Sequence, residues 1–121
     1  MSKNIEKFED LNIWKEGVCI CTKIYEVFKD CTDFGLKDQL QRSSVSIPSN
    51  IAEGFERNTN KDFIRFLYYA KSSTGELRTQ LYISGEIGLI SQDVCEELIE
   101  HTRKISAMIY NLIKVRYNHF N

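Results

Sequence analysis

A single proline stands in 121 residues, and no stretch of useful length alternates apolar with polar residues. That argues against a β-rich fold. No sign of charge prevails either. Sixteen Lys and Arg against 17 Asp and Glu leave a net charge of −1, spread evenly and without a tail of one sign. Such a balance argues against a broad nucleic-acid-binding surface. The longest uncharged run, Ser43 to Ala52, is ten residues long and half polar, so a membrane span is not expected. The opening residues MSKNIEKFED are charged from the third onward and hold no apolar leader core, so the expected location is cytoplasmic. The four cysteines, Cys19, Cys21, Cys31 and Cys95, include no C-x-x-C, and neither His101 nor His119 stands at a zinc-finger spacing from a pair. They read as free thiols behaving as small hydrophobes, and no metal or cofactor is expected.

What the chain does have is length for one domain, taken as residues 1–121, and enough apolar residues (42%) for a core. Helical periodicity dominates. Leu11, Trp14, Val18, Cys21, Tyr25 and Phe28 follow a 3-4-3-4-3 spacing, and Ile13, Gly17, Ile20, Ile24 and Val27 run beside them. Together they fill four contiguous positions of a heptad wheel, wider than the ~100° an ordinary surface helix buries. That width predicts burial on two sides. Asp33 or Thr32 is placed to cap a second helix with a thin stripe of Leu36, Leu40, Ile47 and Ile51. Pro48 falls within it, so either the helix kinks near Ser44 or Ser46 caps a fresh helix. Gly54 and Asn58-Thr59-Asn60 mark a turn, with Thr59 and Asp62 resembling a capping box. A third helix carries Phe63, Leu67, Ala70, Thr74, Leu77 and Leu81, and its small residues Ser72 to Gly75 would admit a close neighbour. Gly88 suits its stop and Ser91 the cap of a fourth helix, striped by Val94, Leu98, His101, Ile105, Met108, Leu112 and Val115 and broadened by Cys95, Ile99, Ile109 and Ile113. Four helices of roughly 20 to 30 residues predict an all-α, up-down-up-down four-helix bundle with helix 2 kinked near Pro48.

Ser43, Ser46, Asn50, Glu53 and Arg57 form a polar stripe on that second helix. It reads as either a binding groove or an inter-helix hydrogen-bond network, with Arg42, Arg57 and Arg78 available to Glu53 or Glu76. The network is the reading adopted, with Glu53 paired rather than facing a cleft, because an unpaired buried group costs about 1–3 kcal/mol. No catalytic arrangement is legible. The chain has no Glu-x-x-His for a di-metal site, no G-x-S-x-G, no Walker loop and no Cys/His arrangement. His101, on an apolar stripe, reads as a packing residue. An enzyme is not expected.

The string Gln41-Arg42-Ser43-Ser44-Val45-Ser46-Ile47-Pro48-Ser49-Asn50-Ile51-Ala52-Glu53-Gly54 resembles the four-helix bundle family of 23S rRNA intervening-sequence proteins. Phe8-x-x-Leu11-x-x-Trp14, Phe63-x-x-Phe66-Leu67-x-x-Ala70 and the step Ser72-Ser73 to Glu76 agree, so the likeness spans roughly residues 8 to 117. The family's motif residues map onto Arg42, Ser46, Asn50, Glu53, Gly54, Phe66, Leu67 and Glu76. Glu56 departs from the glycine that the family commonly shows before the arginine. The resemblance implies a homo-oligomer, a pentameric ring, related to accessory proteins of retroelement reverse transcriptases, some of which bind nucleic acid. Phosphate binding rests on Lys and Arg, and with a pI near 6.1 the chain lacks the global charge for it. Repetition around a ring would have to gather Lys61, Arg65 and Lys71 into a basic rim. The expected role is an accessory or scaffold protein associated with RNA, DNA or a partner that processes them. The alternative is a protein-protein adaptor with no nucleic acid.

Overall fold

The computed structural model describes residues 5–120, with side chains through residue 118; His119 lies outside the described side chains. A short 3-10 turn, Phe8–Asp10, leads into α1 (Asn12–Val27), α2 (Phe34–Phe55), α3 (Asn60–Glu86) and α4 (Gln92–Phe120). Each helix packs on the one before it, and α1 also meets α4. That closes an up-down-up-down four-helix bundle.

The caps fall where short polar residues release the chain into a helix. Asp33 accepts from the Leu36 amide at 3.2 Å, Thr59 from Asp62 at 3.1 Å and Ser91 from Val94 at 3.2 Å. α3 ends on Gly88, at φ +80°, with the Leu89 amide reaching the Ser84 carbonyl at 2.9 Å. This closing loop needs a left-handed residue, which glycine adopts without a Cβ penalty. The turn between α2 and α3 needs none. Glu56 has φ −78°, so a side chain stands there without strain where the family commonly has glycine.

Three expectations need correction. α1 spans 16 residues, shorter than the 20 expected. α2 runs unbroken through Pro48, so no fresh helix begins at Ser46. Gly54 belongs to the last turn of α2 rather than to the loop. Its reason is packing: a Cβ built on Gly54 would lie 2.5 Å from the Cβ of Phe66. Gly17 serves α1 and α2 the same way, its missing Cβ lying 3.2 Å from Ile47 and 3.3 Å from the Pro48 ring. Gly85 makes room for the Cys95 sulfur on α4. Gly75, in the small-residue step, has no such neighbour.

The α3 stripe from Phe63 to Leu81 is buried throughout. On α1 only half of the wide arc is: Ile13, Gly17, Ile20 and Ile24 face the core with Phe28. Leu11, Trp14, Val18 and Cys21 are half-buried, and Tyr25 is 45% exposed. On α4 the core is made by Cys95, Leu98, Ile99, Thr102, Ile105, Ile109 and Ile113, so it lies toward the side on which Cys95, Ile99, Ile109 and Ile113 broaden the expected stripe.

Candidate functional site

The polar stripe of α2 divides along its length. Ser43 and Ser46 meet α3, and Asn50 braces Ser46. Ser43 is buried and donates to Glu76 Oε1 at 3.3 Å. The Ser46 and Ser73 hydroxyls lie 2.9 Å apart. Asn50 Nδ2 donates to Ser46 Oγ at 2.8 Å and to its carbonyl at 2.9 Å. Ser73 completes the chain on the Tyr69 carbonyl at 3.1 Å. These bonds join two helices whose closest approach a glycine permits, so the network fixes their register.

Glu53 does not belong to that network. It pairs with Arg57 on its own helix at 2.7 Å, with about half of each side chain exposed. The expectation that Glu53 is held by a neighbouring helix is therefore corrected. Arg42 likewise turns outward onto Asp38 at 2.8 Å and is 79% exposed.

The other buried hydroxyls are satisfied one turn back in their own helices: Thr74 on Lys71, Ser84 on Gln80 and Thr102 on Ile99. Gln80 is the exception. It is 7% exposed, and its carbonyl oxygen is buried with no hydrogen-bond partner among the described residues.

His101 is more than a packing residue. Its side chain is 10% exposed, with Nε2 at 2.7 Å from Glu16 Oε1 and Nδ1 at 3.5 Å from Lys23 Nζ. Lys104 adds an ion pair to Glu16 at 3.6 Å. The His101 hydrogen bond holds the Glu16 carboxyl below its ordinary value; burial opposes this and the Lys104 charge assists. The cluster pins α1 to α4. Its partners are 85 residues apart in sequence, so the pairing was not legible from local spacing. Lys104 lies four residues from Glu100 but is taken by Glu16, and Glu100 pairs with Arg103 at 3.1 Å.

The basic residues expected to form a rim fall on two seams. Arg65 pairs with Asp62 at 3.1 Å and covers the Phe66 ring, beside Arg57. Lys71 lies on the α4 side, 5.8 Å from the Tyr110 ring. Lys61 is exposed. Within one chain these three make no single cluster. A different basic strip does form between α3 and α4: Lys71 and Lys114 flank Tyr110, and Arg78 and Arg103 line the same groove.

Cys95 is buried and donates to the Leu81 carbonyl at 3.3 Å, and burial pushes its thiol up, away from the thiolate. Among the described residues no three His, Cys, Asp or Glu side chains gather as a metal site requires, and no helix is long and apolar enough to cross a membrane.

Fold and marked residues thus define a small all-α bundle in which the motif residues Ser46, Gly54, Phe66, Leu67 and Glu76 build the seam of α2 with α3 and the core, while Arg42 and Glu53 face outward. The chain matches the 23S rRNA-intervening sequence protein family over residues 9–111. It belongs to that family. Among solved structures it is similar to a protein of unknown function from the S23 ribosomal protein family of Bacteroides thetaiotaomicron VPI-5482. The two share 22% identity with a TM-score of 0.79, over 84% of this chain and 98% of the other. At that identity the likeness is one of fold. No curated protein matches the chain.

Proposed function

We propose that this protein is a non-catalytic accessory or scaffold bundle that acts as a homo-oligomer in an assembly associated with RNA or DNA, or with a partner that processes them. The observation that carries the reading is the uncovered half of the α1 arc. Val18 and Cys21 are half-buried, Tyr25 is 45% exposed, and Val45 of α2, bordering the same depression as Tyr25, is 39% exposed, while Trp14 is half-buried against the Phe8 ring. Large apolar side chains left exposed beside one another on a small bundle favour a protein interface there. A ring requires two different patches per subunit, and the number five rests on the family resemblance alone. Light scattering at micromolar concentration tests it: the expected mass is a multiple of 14.1 kDa, and a monomer overturns the proposal.

The link to nucleic acid draws support from the α3–α4 strip, where tyrosine alternates with Lys and Arg, the side chains that stack on bases and neutralise phosphates. The adaptor reading has its own support. Lys29, Arg42, Arg57, Arg65 and Arg103 are each neutralised by a carboxylate on the same or an adjoining turn. Binding to generic DNA or RNA at about 150 mM salt is accordingly expected to be weak. An anisotropy titration separates the two. A dissociation constant that rises steeply with salt supports the nucleic-acid role, and no detectable binding by the assembled form supports the adaptor.

A further inference from the structure

The balanced net charge conceals a segregation along the last helix. The four acids of α4, Asp93, Glu96, Glu97 and Glu100, all precede residue 101, whereas Arg103, Lys104, Lys114 and Arg116 all follow it. On α3 the stretch from Phe63 to Gly75 likewise holds Arg65 and Lys71 and no acid. The two helices are antiparallel neighbours, so these stretches lie side by side.

Two facing stripes run along that pair. Tyr68, Lys71, Gly75, Arg78 and Tyr82 follow a 3-4-3-4 spacing on α3, and Arg103, Ala107, Tyr110, Lys114 and Tyr117 a 4-3-4-3 spacing on α4. Arg103 donates to the Tyr82 hydroxyl at 2.8 Å, and the Lys71 ammonium lies 5.8 Å from the centre of the Tyr110 ring. Lys114 approaches the same ring from its own helix, at 5.1 Å. Between these contacts Arg78, Ser106 and Ala107 line a groove of about 360 Å³. The four tyrosines are 45 to 62% exposed. Neither stripe carries an acid: Glu76 turns to Ser43 on α2, and Glu100 closes only the Arg103 end. Lys71, Arg78 and Lys114 have no ion pair among the described residues, and Lys71 and Arg78 are half-buried in the groove. Cations gathered in a groove with no acid among them raise the potential that a phosphate feels there.

We propose that this α3–α4 strip binds single-stranded nucleic acid, with Lys71, Arg78 and Lys114 on its phosphates and Tyr110 as the ring on which a base stacks. This rests on the nucleic-acid reading above and gives it a site and a strand class. A duplex offers such a strip phosphates alone, because its base faces are already stacked. A single strand offers base faces as well, and these are what exposed tyrosines between cations can use. From Tyr68 to Tyr82 the strip is about 21 Å long at the helical rise, room for about four nucleotides.

Anisotropy of labelled oligo(dT) and oligo(rU) of about twelve nucleotides tests it on the full chain, beside a DNA hairpin duplex of equal charge. At about 50 mM salt both single strands are expected to bind at least about tenfold more tightly than the duplex. Their affinity is expected to fall with a salt slope of about −2, the value for three phosphate contacts on a single strand, and so by about tenfold on reaching 150 mM. Tyr110→Ala is expected to weaken single-strand binding by about fivefold or more and to leave the duplex unaffected, whereas Tyr110→Phe keeps the ring and binds as wild type. Arg78→Gln is expected to flatten the slope by about 0.7. Lys29→Gln, off the strip, is the control, and circular dichroism confirms that each variant is folded. A duplex bound as tightly as the single strands, or Tyr110→Ala and Arg78→Gln both behaving as wild type, overturns the strip and leaves the nucleic-acid reading standing. Displacement of the oligonucleotides by an equal concentration of a glutamate-rich peptide of matching charge also overturns it, in favour of an acidic protein partner. No binding of any probe by wild type at about 50 mM salt overturns both the strip and the reading it rests on.

Discussion

Replacing Gly54 by Ala isolates the packing that holds the α2–α3 seam. A methyl at this position meets the Cβ of Phe66 at 2.5 Å, Cδ1 of Phe63 at 3.2 Å and the Phe63 carbonyl oxygen at 3.4 Å. The nearest atom is fixed directly to the α3 backbone, so no rotamer change relieves the contact; the helices must part. Overpacking of this kind costs about 1–3 kcal/mol, and the rigidity of the contact places the cost toward the upper end. Against it stands the helix preference of Ala over Gly, a gain of about 1 kcal/mol. The net is a loss of about 1–2 kcal/mol, or a melting temperature lower by about 4–8 °C in a domain of this size. Gly75→Ala is the control, because its Cβ meets nothing nearer than the Arg78 guanidinium at 4.0 Å. It keeps the propensity gain and is expected to stabilise by about 0.5–1 kcal/mol. Both are measured by thermal and urea unfolding at one protein concentration, since self-association would shift either midpoint. A Gly54→Ala variant at least as stable as wild type refutes the reasoning, whatever Gly75→Ala does.

Ser46→Ala removes the hydroxyl shared by Ser73 and Asn50 and is expected to cost about 1–2 kcal/mol in urea unfolding. Glu53→Ala, which breaks only an exposed pair with Arg57, is expected to cost less than about 0.5 kcal/mol; a larger loss would show Glu53 holding something beyond its own helix. Gly88→Ala forces a Cβ onto a residue at φ +80° and is expected to destabilise by about 1 kcal/mol, seen as a lower melting temperature. Glu16 has its carboxyl held below the ordinary 4.5 by His101 and Lys104, so the unfolded chain binds its proton more readily than the folded one. That contribution is full above the ordinary value and is lost as pH falls through the folded one. Glu16→Gln should therefore be less stable than wild type near pH 7, with the gap closing below about pH 4; a gap constant from pH 7 to pH 3 contradicts the pairing.

The elements were legible because periodicity and caps are local properties. The α3 stripe is buried from end to end, and Asp33, Thr59, Ser91 and Gly88 terminate helices where their chemistry suggests. Distances between helices were not, and Gly17, Gly54 and Gly85 matter through those distances alone. The same limit hid the His101–Glu16 pair and the unmet carbonyl of Gln80, which are defined by what a second helix brings or withholds. The polar stripe of α2 gives the sharpest case. Its 3-4-3-4 spacing repeats every 3.5 residues, whereas a straight helix turns every 3.6, so the stripe drifts by about 20° per heptad. From Ser43 to Arg57 that amounts to about 40°, enough to carry a line of polar groups from one environment into another. Ser43 and Ser46 bond to α3 and Asn50 braces Ser46, while Glu53 and Arg57 pass out into solvent and pair with each other. The spacing marked five residues as one face. Helix geometry divides them, three to the seam and two to the surface, and only the three are placed to hold the bundle in register.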